Sequence, residues 1–397
     1  MKKNVLIIGG GFGGCACAHT LSMLEKFNIT VVEHSSVLGA GVRTNYWGGH
    51  PYTFGPRHFL TKDKKLYDFL DKYIPLRDCS DHRYLSYAEK DNNFYSMPLS
   101  YDDIELMPDK KKIYKEIEEN KLKKKQPKNL EEFWLNSIGP SLYEKTVNNY
   151  NKKMWMVNDN KVFTSFGWST KGDPIKKGKR KAFDLEAFSA YPIKLNGYND
   201  YFDISTKHTK VLLNTEVKFN DIKKKIVTIN GIKTQFDYII STISPDEIFN
   251  YCYGKLNYIG RDFLKIVLPM ENCFPEDVYY LYYPNTEPFT RIVEYKKFTK
   301  YKSKNTFIGI EIPSKNGKFY PLPLEKEQLL AKKYHDDMPE NFFSVGRNGS
   351  YRYSVDIDDC IEQAIAVAEI IDNNKWENPI PLEKHRKKDF SSMGKQN

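Results

Sequence analysis

Gly9-Gly10-Gly11-Phe12-Gly13-Gly14 satisfies G-x-G-x-x-G, and the chemistry of that spacing is a backbone cradle for a pyrophosphate. The first glycine allows a tight turn, the second lets the main chain approach the phosphates, and the third lets a helix pack against a strand. A helix that opens there also points free N–H groups at the anion. The β-branched run Asn4 to Ile8 precedes the glycines, and Glu33 closes the next apolar segment. A carboxylate at that place accepts both ribose hydroxyls of an adenosine. Gly9, Gly11, Phe12, Gly14 and Glu33 together predict a bound dinucleotide.

A second run of small residues, Gly39-Ala40-Gly41-Val42-Arg43-Thr44, resembles the Gly-Gly-Arg-x-x-Thr fingerprint of flavoproteins related to amine oxidases. Gly41 lets the chain pass close to a diphosphate and Arg43 offers it a charge-assisted contact, which favours FAD over NAD. Further stretches resemble UDP-galactopyranose mutases, in that family's order and across about residues 1–371. Phe289-Thr290-Arg291-Ile292-Val293-Glu294-Tyr295-Lys296-Lys297-Phe298 is similar to Tyr-Thr-Arg-Ile-Ile-Glu-His-Lys-His-Phe. Gly346-Arg347-Asn348-Gly349-Ser350-Tyr351-Arg352-Tyr353 is similar to Gly-Arg-Leu-x-x-Tyr-x-Tyr-Tyr-Asp. Phe319-Tyr320-Pro321 matches Tyr-Tyr-Pro, and Asn129-Leu130-Glu131-Glu132 through Tyr150 to Trp155 is similar to a helical stretch ending in Lys-Gln-Trp.

The resemblance implies a reaction without net redox. A reduced flavin attacks the anomeric carbon through N5, displaces the nucleoside diphosphate and holds the sugar while its ring opens and recloses as a furanose. The expected substrate is a nucleotide sugar, most simply UDP-linked galactose or a related sugar, and the product is a furanose donor for surface polysaccharide such as capsule. A leaving diphosphate needs fixed positive charge and hydroxyl donors. By resemblance Arg291 supplies the charge and Tyr320 and Tyr353 the hydroxyls, while Trp155, Tyr84, Tyr150 and Asn151 complete the substrate site. Arg291, His58 and Arg57 are the candidate catalytic residues. Arg57, His58, Val217, Arg347, Asp356 and Ile357 are expected beside FAD, together with the glycine runs, and no metal is expected.

Departures from the family pattern concentrate around the sugar. Phe54-Gly55-Pro56-Arg57-His58-Phe59-Leu60-Thr61 stands where Tyr-Gly-x-His-x-Phe-His-Thr is usual, so Arg57 and Leu60 replace two histidines. Thr146-Val147 replaces an aromatic pair, and Ser354-Val355-Asp356 stands where Tyr-Asp is usual. A cation expected on a mobile loop at 157–182 has several candidates: Lys171, Lys176, Lys177, Lys179 and Arg180. Two rivals share the glycine fingerprints, a flavin oxidase or desaturase of the amine-oxidase class and an inactive FAD-binding protein.

The elements that must position these residues read as an α/β fold: a Rossmann-like FAD-binding domain with an inserted helical domain and an antiparallel β-sheet substrate domain. The strand at 4–8, a helix from about 14 to 25 and a strand at 29–32 form the opening βαβ unit. The FAD-binding parts are expected at 1–83, 208–250 and 340–375. The sheet domain is expected at 84–100, within a loop-containing segment at 161–207, and at 251–339. Residues 101–160 read as helical, with a solvated face at Lys110 to Lys125 and a capped start at Asn129. Val211 to Phe219, Ile226 to Thr234 and Phe236 to Thr242 read as strands, 263–312 as an antiparallel sheet, Cys360 to Ile371 as an amphipathic helix and 376–397 as a polar tail.

Composition narrows the remaining choices. With 397 residues and 40% hydrophobic content the chain builds substantial cores, which excludes a coiled-coil rod or a disordered regulator. The excess of 61 Lys and Arg over 51 Asp and Glu is modest, and the basic stretches at 171–181 and 384–388 lack interleaved aromatics, so no nucleic-acid partner is expected. Six cysteines form no CxxC pair, which points to a reducing compartment. The first residues run straight into a strand, and no apolar window is long enough to span a bilayer. A cytoplasmic enzyme that forms a homodimer is the expectation.

Overall fold

The computed structural model describes residues 2–121, 126–166, 175–182 and 187–373. Lys171 and the tail at 376–397 lie outside the described residues. β1 (Lys3–Ile8), α1 (Phe12–Ser22) and β2 (Phe27–Val32) open the chain. β1 pairs in parallel with β2 on one side and with Tyr238–Ser241 on the other. Lys210–Leu212 and Phe342–Ser344 complete a five-stranded, all-parallel sheet. Its central strands are apolar on both faces because helices cover one side and a small antiparallel sheet the other.

α1 begins two residues earlier than its apolar pattern predicts, because Phe12, Gly13 and Gly14 all fit its first turn. It is buried almost all round, wedged against the last helix, Ile357–Asp372, whose Ala364 carbonyl accepts from Thr20 Oγ1 at 3.1 Å. Two expected strands are divided. Val211–Phe219 breaks at Asn214, which sits at φ 48°, so Lys210–Leu212 joins the parallel sheet while Val217–Asp221 starts the antiparallel one. Ile226–Thr234 is a hairpin of Ile226–Ile229 and Ile232–Gln235. Asn230 and Gly231 turn it with φ of 50° and 79°, the positive values that a two-residue hairpin loop requires.

The helical region comprises Tyr101–Leu106, Lys110–Lys121, Leu130–Thr146 and Asn148–Trp155. Asn129 caps the third helix, accepting from the Glu132 amide at 3.0 Å. That helix bends at Gly139 (φ 82°) ahead of Pro140, and Glu116 accepts from the freed Ser141 amide at 2.8 Å, so the kink is satisfied by the neighbouring helix.

A seven-stranded sheet faces the parallel one. Its order is Tyr320–Pro321, Tyr258–Leu268, Thr306–Ser314, Arg291–Glu294, Val278–Tyr282, Arg83–Ala88 and Asn93–Met97. The expected antiparallel pairing holds except between Val278–Tyr282 and Arg83–Ala88, which run parallel. Arg291, Tyr280 and Tyr282 share its inner face, whereas Ile292 and Ile310 share the outer one, as the period of two requires. Among the described residues no helix is long and apolar enough to cross a membrane, and no cluster of three His, Cys, Asp or Glu side chains could hold a metal ion.

Candidate active site

One cavity of about 1200 Å³ runs from the carboxyl ends of the parallel strands to the inner face of the seven-stranded sheet. The glycine run, Glu33, the Ala40–Val42 turn and Val217 line one end; the helix Asn148–Trp155 and the strands bearing Arg261, Arg291 and Glu311 line the other.

At the first end Glu33 is only 6% exposed. One of its carboxylate oxygens accepts from the Gly10 amide at 2.6 Å, and the other from the Ser35 amide at 2.8 Å and hydroxyl at 2.7 Å. These bonds hold the carboxylate at the cavity wall. Gly14 lies behind the cavity, where a Cβ would sit 1.9 Å from the Gly9 carbonyl oxygen; its role is the helix–strand contact. Gly11 and Gly41 do line the cavity. Within 4 Å, a Cβ on Gly11 would meet only Ala40 and a Cβ on Gly41 only Arg57. Two backbones that open onto shared space, a helix N-terminus with no acidic residue in its first turn, and a fixed carboxylate at the cavity wall fit an adenine dinucleotide.

Arg43, the expected diphosphate contact, is turned elsewhere. Arg43 does not line the cavity; its Nη1 donates to the Leu38 carbonyl at 3.1 Å. Arg57 does line it, with Nε donating to the Gly41 carbonyl at 3.2 Å. The reason is local: the turn at Ala40–Val42 leaves Arg43 in extended backbone beyond it, pointing back along its own loop. Arg347 donates to the Val355 carbonyl at 2.9 Å and pairs with Asp356. Asp356 caps the helix Ile357–Asp372, and both Asp356 and Ile357 line the cavity. His58 is half-buried at the cavity wall, its ring near those of Phe298 and His82. Burial, reinforced by His82, Arg291 and Arg57, holds its pKa well below the ordinary histidine range, so this imidazole is neutral.

At the second end Arg291 and Glu311 are cross-strand partners. Nε and Nη2 of Arg291 donate to the two Glu311 oxygens at 2.9 and 2.7 Å. Burial disfavours the guanidinium charge, but Glu311 and Tyr282 outweigh it and hold the pKa well above the ordinary arginine value. The guanidinium lies 5.6 Å from the Tyr280 ring and 5.9 Å from that of Tyr282. Tyr84 stacks on Tyr280, and Tyr150 meets Tyr282 edge-on at 5.0 Å. Trp155 meets Tyr353 at 4.9 Å, and Tyr353 meets Tyr320 at 5.5 Å. Asn151 completes the helix face toward the cavity.

Tyr320 is the electrostatic centre of this end. Arg261 lies 4.8 Å and Arg347 5.3 Å from its ring. Burial would raise its phenol pKa, yet Arg57, Arg261 and Arg291 bring it below the ordinary tyrosine value. Two guanidinium groups thus lie against this ring and two more, Arg57 and Arg291, line the same cavity; with Glu311 and Asp356 as the nearby carboxylates, the remaining positive charge suits a diphosphate.

All the candidate site residues except Gly14 and Arg43 meet in this cavity. Arg261, Glu311, Tyr280 and Tyr282 are additions. Glu311 has a legible signal, a carboxylate inside the alternation Ile308, Ile310, Ile312; the other three emerge only from strand pairing. None of the described loop candidates lines the cavity in this structure. Lys179 pairs with Asp277 at 2.6 Å, the Lys176 backbone bridges to Ser100, and Arg180 is buried against the Leu99 carbonyl. Neither these nor Lys177 lines the cavity, whereas Arg261 does.

Fold and site define a dinucleotide-binding protein of the α/β class whose cavity has a second, cationic and tyrosine-lined end. Residues 145–353, more than half of the chain, match the family model described as UDP-galactopyranose mutase, and residues 7–73 match one described as an NAD(P)-binding Rossmann-like domain. The chain belongs to the UDP-galactopyranose mutase family. It is 25% identical over 393 residues to a dTDP-fucopyranose mutase of Escherichia coli, covering 94% of this chain and 100% of that one. It is 22% identical over 390 residues to a probable UDP-galactopyranose mutase of Klebsiella pneumoniae, covering 93% and 94%. In three dimensions it matches a crystal structure of reduced UDP-galactopyranose mutase with a TM-score of 0.82 over 97% of this chain and 98% of that one, at 16% identity, a likeness of fold. The protein is an isomerase that interconverts pyranose and furanose forms of a nucleotide-linked sugar, and its cofactor is FAD.

Proposed function

We propose that the substrate is a UDP-linked hexose, galactose or a close relative, and that the furanose product is a donor for surface polysaccharide made from the cytoplasmic side. The observation that supports it is a cavity lined by Arg57, Arg261, Arg291 and Arg347, two of them against the Tyr320 ring, that also holds the glycine cradle and Glu33. Reduced FAD, when bound, supplies an electron-rich nitrogen able to take the anomeric carbon from the diphosphate. The chain's own residues serve the other side of that exchange. As the anomeric C–O bond breaks, negative charge gathers on the departing phosphate. A guanidinium already held by Glu311 stabilises that charge without reorganising. Tyr320 and Tyr353 line the same cavity, and their hydroxyls serve as donors to phosphate oxygens. Tyr84, Tyr150, Tyr280, Tyr282 and Trp155 form an aromatic wall that keeps water from the activated sugar. Gly9, Gly11, Gly41, Glu33, Arg57, Val217, Arg347, Asp356 and Ile357 are the residues that would hold FAD, with neutral His58 beside them.

A dTDP-linked 6-deoxy sugar is the second reading, favoured by the full-length likeness to the dTDP-fucopyranose mutase and by Leu60, an apolar side chain on the cavity wall. A panel of UDP- and dTDP-linked hexoses incubated with dithionite-reduced protein, scored chromatographically for pyranose–furanose conversion, separates the two. Conversion of none of them would contradict both readings. A homodimer belongs to the same proposal and is checked by light scattering.

A further inference from the structure

The helix Asn148–Trp155 presents Tyr150, Asn151, Met154 and Trp155 to the cavity. Lys153 leaves the same helix in another direction, and its side chain is 16% exposed. Its ammonium donates to the carbonyls of Tyr283 at 2.7 Å, Glu287 at 2.8 Å and Phe289 at 2.9 Å, and to the Glu287 carboxylate at 3.2 Å. Those acceptors belong to the loop that joins Val278–Tyr282 to Arg291–Glu294. The loop is closed by the Tyr283 amide on the Thr290 carbonyl at 3.0 Å, and Thr290 donates in turn to the Glu311 carbonyl at 3.0 Å.

Three carbonyl dipoles converging on one point repel each other unless a cation sits between them. The lysine therefore stabilises this shape of the loop. Both of its ends carry the site: Tyr280 and Tyr282 on the incoming strand, Arg291 on the outgoing one.

We propose that Lys153 is a positioning residue that sets the spacing between the Trp155 helix and Arg291, and thereby the affinity for the nucleoside diphosphate. The inference rests on the nucleotide-sugar reading above. It assigns to Lys153 no contact with substrate or flavin; the residue acts by holding two walls of one site at a fixed separation.

Calorimetric titration of the FAD-loaded protein with UDP and with dTDP tests it, on wild type, Lys153→Met and Lys153→Arg. Lys153→Met should weaken binding of the preferred nucleotide about tenfold or more and raise KM in parallel. Its kcat should change less, and its flavin content and visible spectrum should match wild type. Lys153→Arg, which keeps charge and donors, should recover part of the affinity. Should Lys153→Met not fold, Glu287→Gln, which removes a single acceptor charge, should weaken binding in the same direction by a smaller factor. Unaltered nucleotide affinity in a variant that folds would overturn the proposal, as would a loss of flavin that parallels the loss of nucleotide. A wild-type protein that binds neither nucleotide would instead remove the nucleotide-sugar reading, so the two failures are distinguishable.

Discussion

Arg291 and Glu311 face each other across adjacent antiparallel strands and make a two-pronged ion pair at the wall of the cavity. The pair fixes the plane of the guanidinium before any ligand arrives, and Gly55 approaches it so closely that a Cβ there would lie 3.3 Å from Arg291 Nη2. Truncating the arginine removes a charge that matters most as the leaving phosphate forms. Arg291→Ala should lower kcat/KM on the order of 10²-fold or more, with a loss in kcat as well as a rise in KM. Arg291→Lys should recover only part, since a point charge cannot bridge two oxygens. Steady-state kinetics with the flavin content monitored checks this; the flavin content should not change.

Removing the carboxylate acts differently. Glu311→Ala leaves a largely buried guanidinium without its counter-charge, which costs on the order of 2–3 kcal/mol of stability, below the fully buried case because the cavity admits water. Glu311→Gln keeps the shape and one acceptor, so it should fold. Its kcat/KM should fall about tenfold, because the arginine is then free to rotate away from the phosphate. Denaturant melts of the two variants beside their kinetics separate stability from positioning.

Two glycines in the same motif should fail in opposite ways. Gly14→Ala would put a methyl 1.9 Å from a backbone oxygen, so the βαβ unit cannot close and little folded protein is expected. At Gly11 φ is −70° and a methyl would meet only the Ala40 side chain, at 3.5 Å. Gly11→Ala should therefore fold with a stability within about 0.5 kcal/mol of wild type while losing FAD affinity, because the methyl occupies cofactor space. Melting curves of the apoprotein and flavin release on dilution measure both effects.

His58 gives a pH signature. Its pKa is depressed by burial in the folded chain and ordinary in the unfolded chain, so below about pH 6.5 the unfolded state binds the extra proton. Stability is therefore lost as the pH falls through that value. His58→Gln should show a smaller drop in melting temperature than wild type between about pH 7.5 and pH 5.5, by an amount that reflects this single group.

Much of the cofactor end was legible because its signals are local. A strand, a glycine run and a carboxylate closing the next strand lie within one βαβ unit, and their positions in space follow from their spacing. Arg43 shows where this stops. A fingerprint gives the residue type near a diphosphate, but the turn at Ala40–Val42 sends that side chain to Leu38 while Arg57 comes in from the next loop. The substrate end depends on contacts distant in sequence. Arg291 meets Glu311 only through strand register, and Arg261 reaches Tyr320 only because their strands lie in one sheet. The Asn230-Gly231 turn was fully legible in residue type, yet the apolar runs on either side read as one strand.

The most direct test compares turnover by the oxidised and the dithionite-reduced protein on the preferred nucleotide sugar, with oxygen uptake followed in parallel. Pyranose–furanose conversion is expected only in the reduced form, over many turnovers and without stoichiometric consumption of reductant. Turnover by the oxidised enzyme in step with oxygen uptake, with no furanose formed, would contradict it.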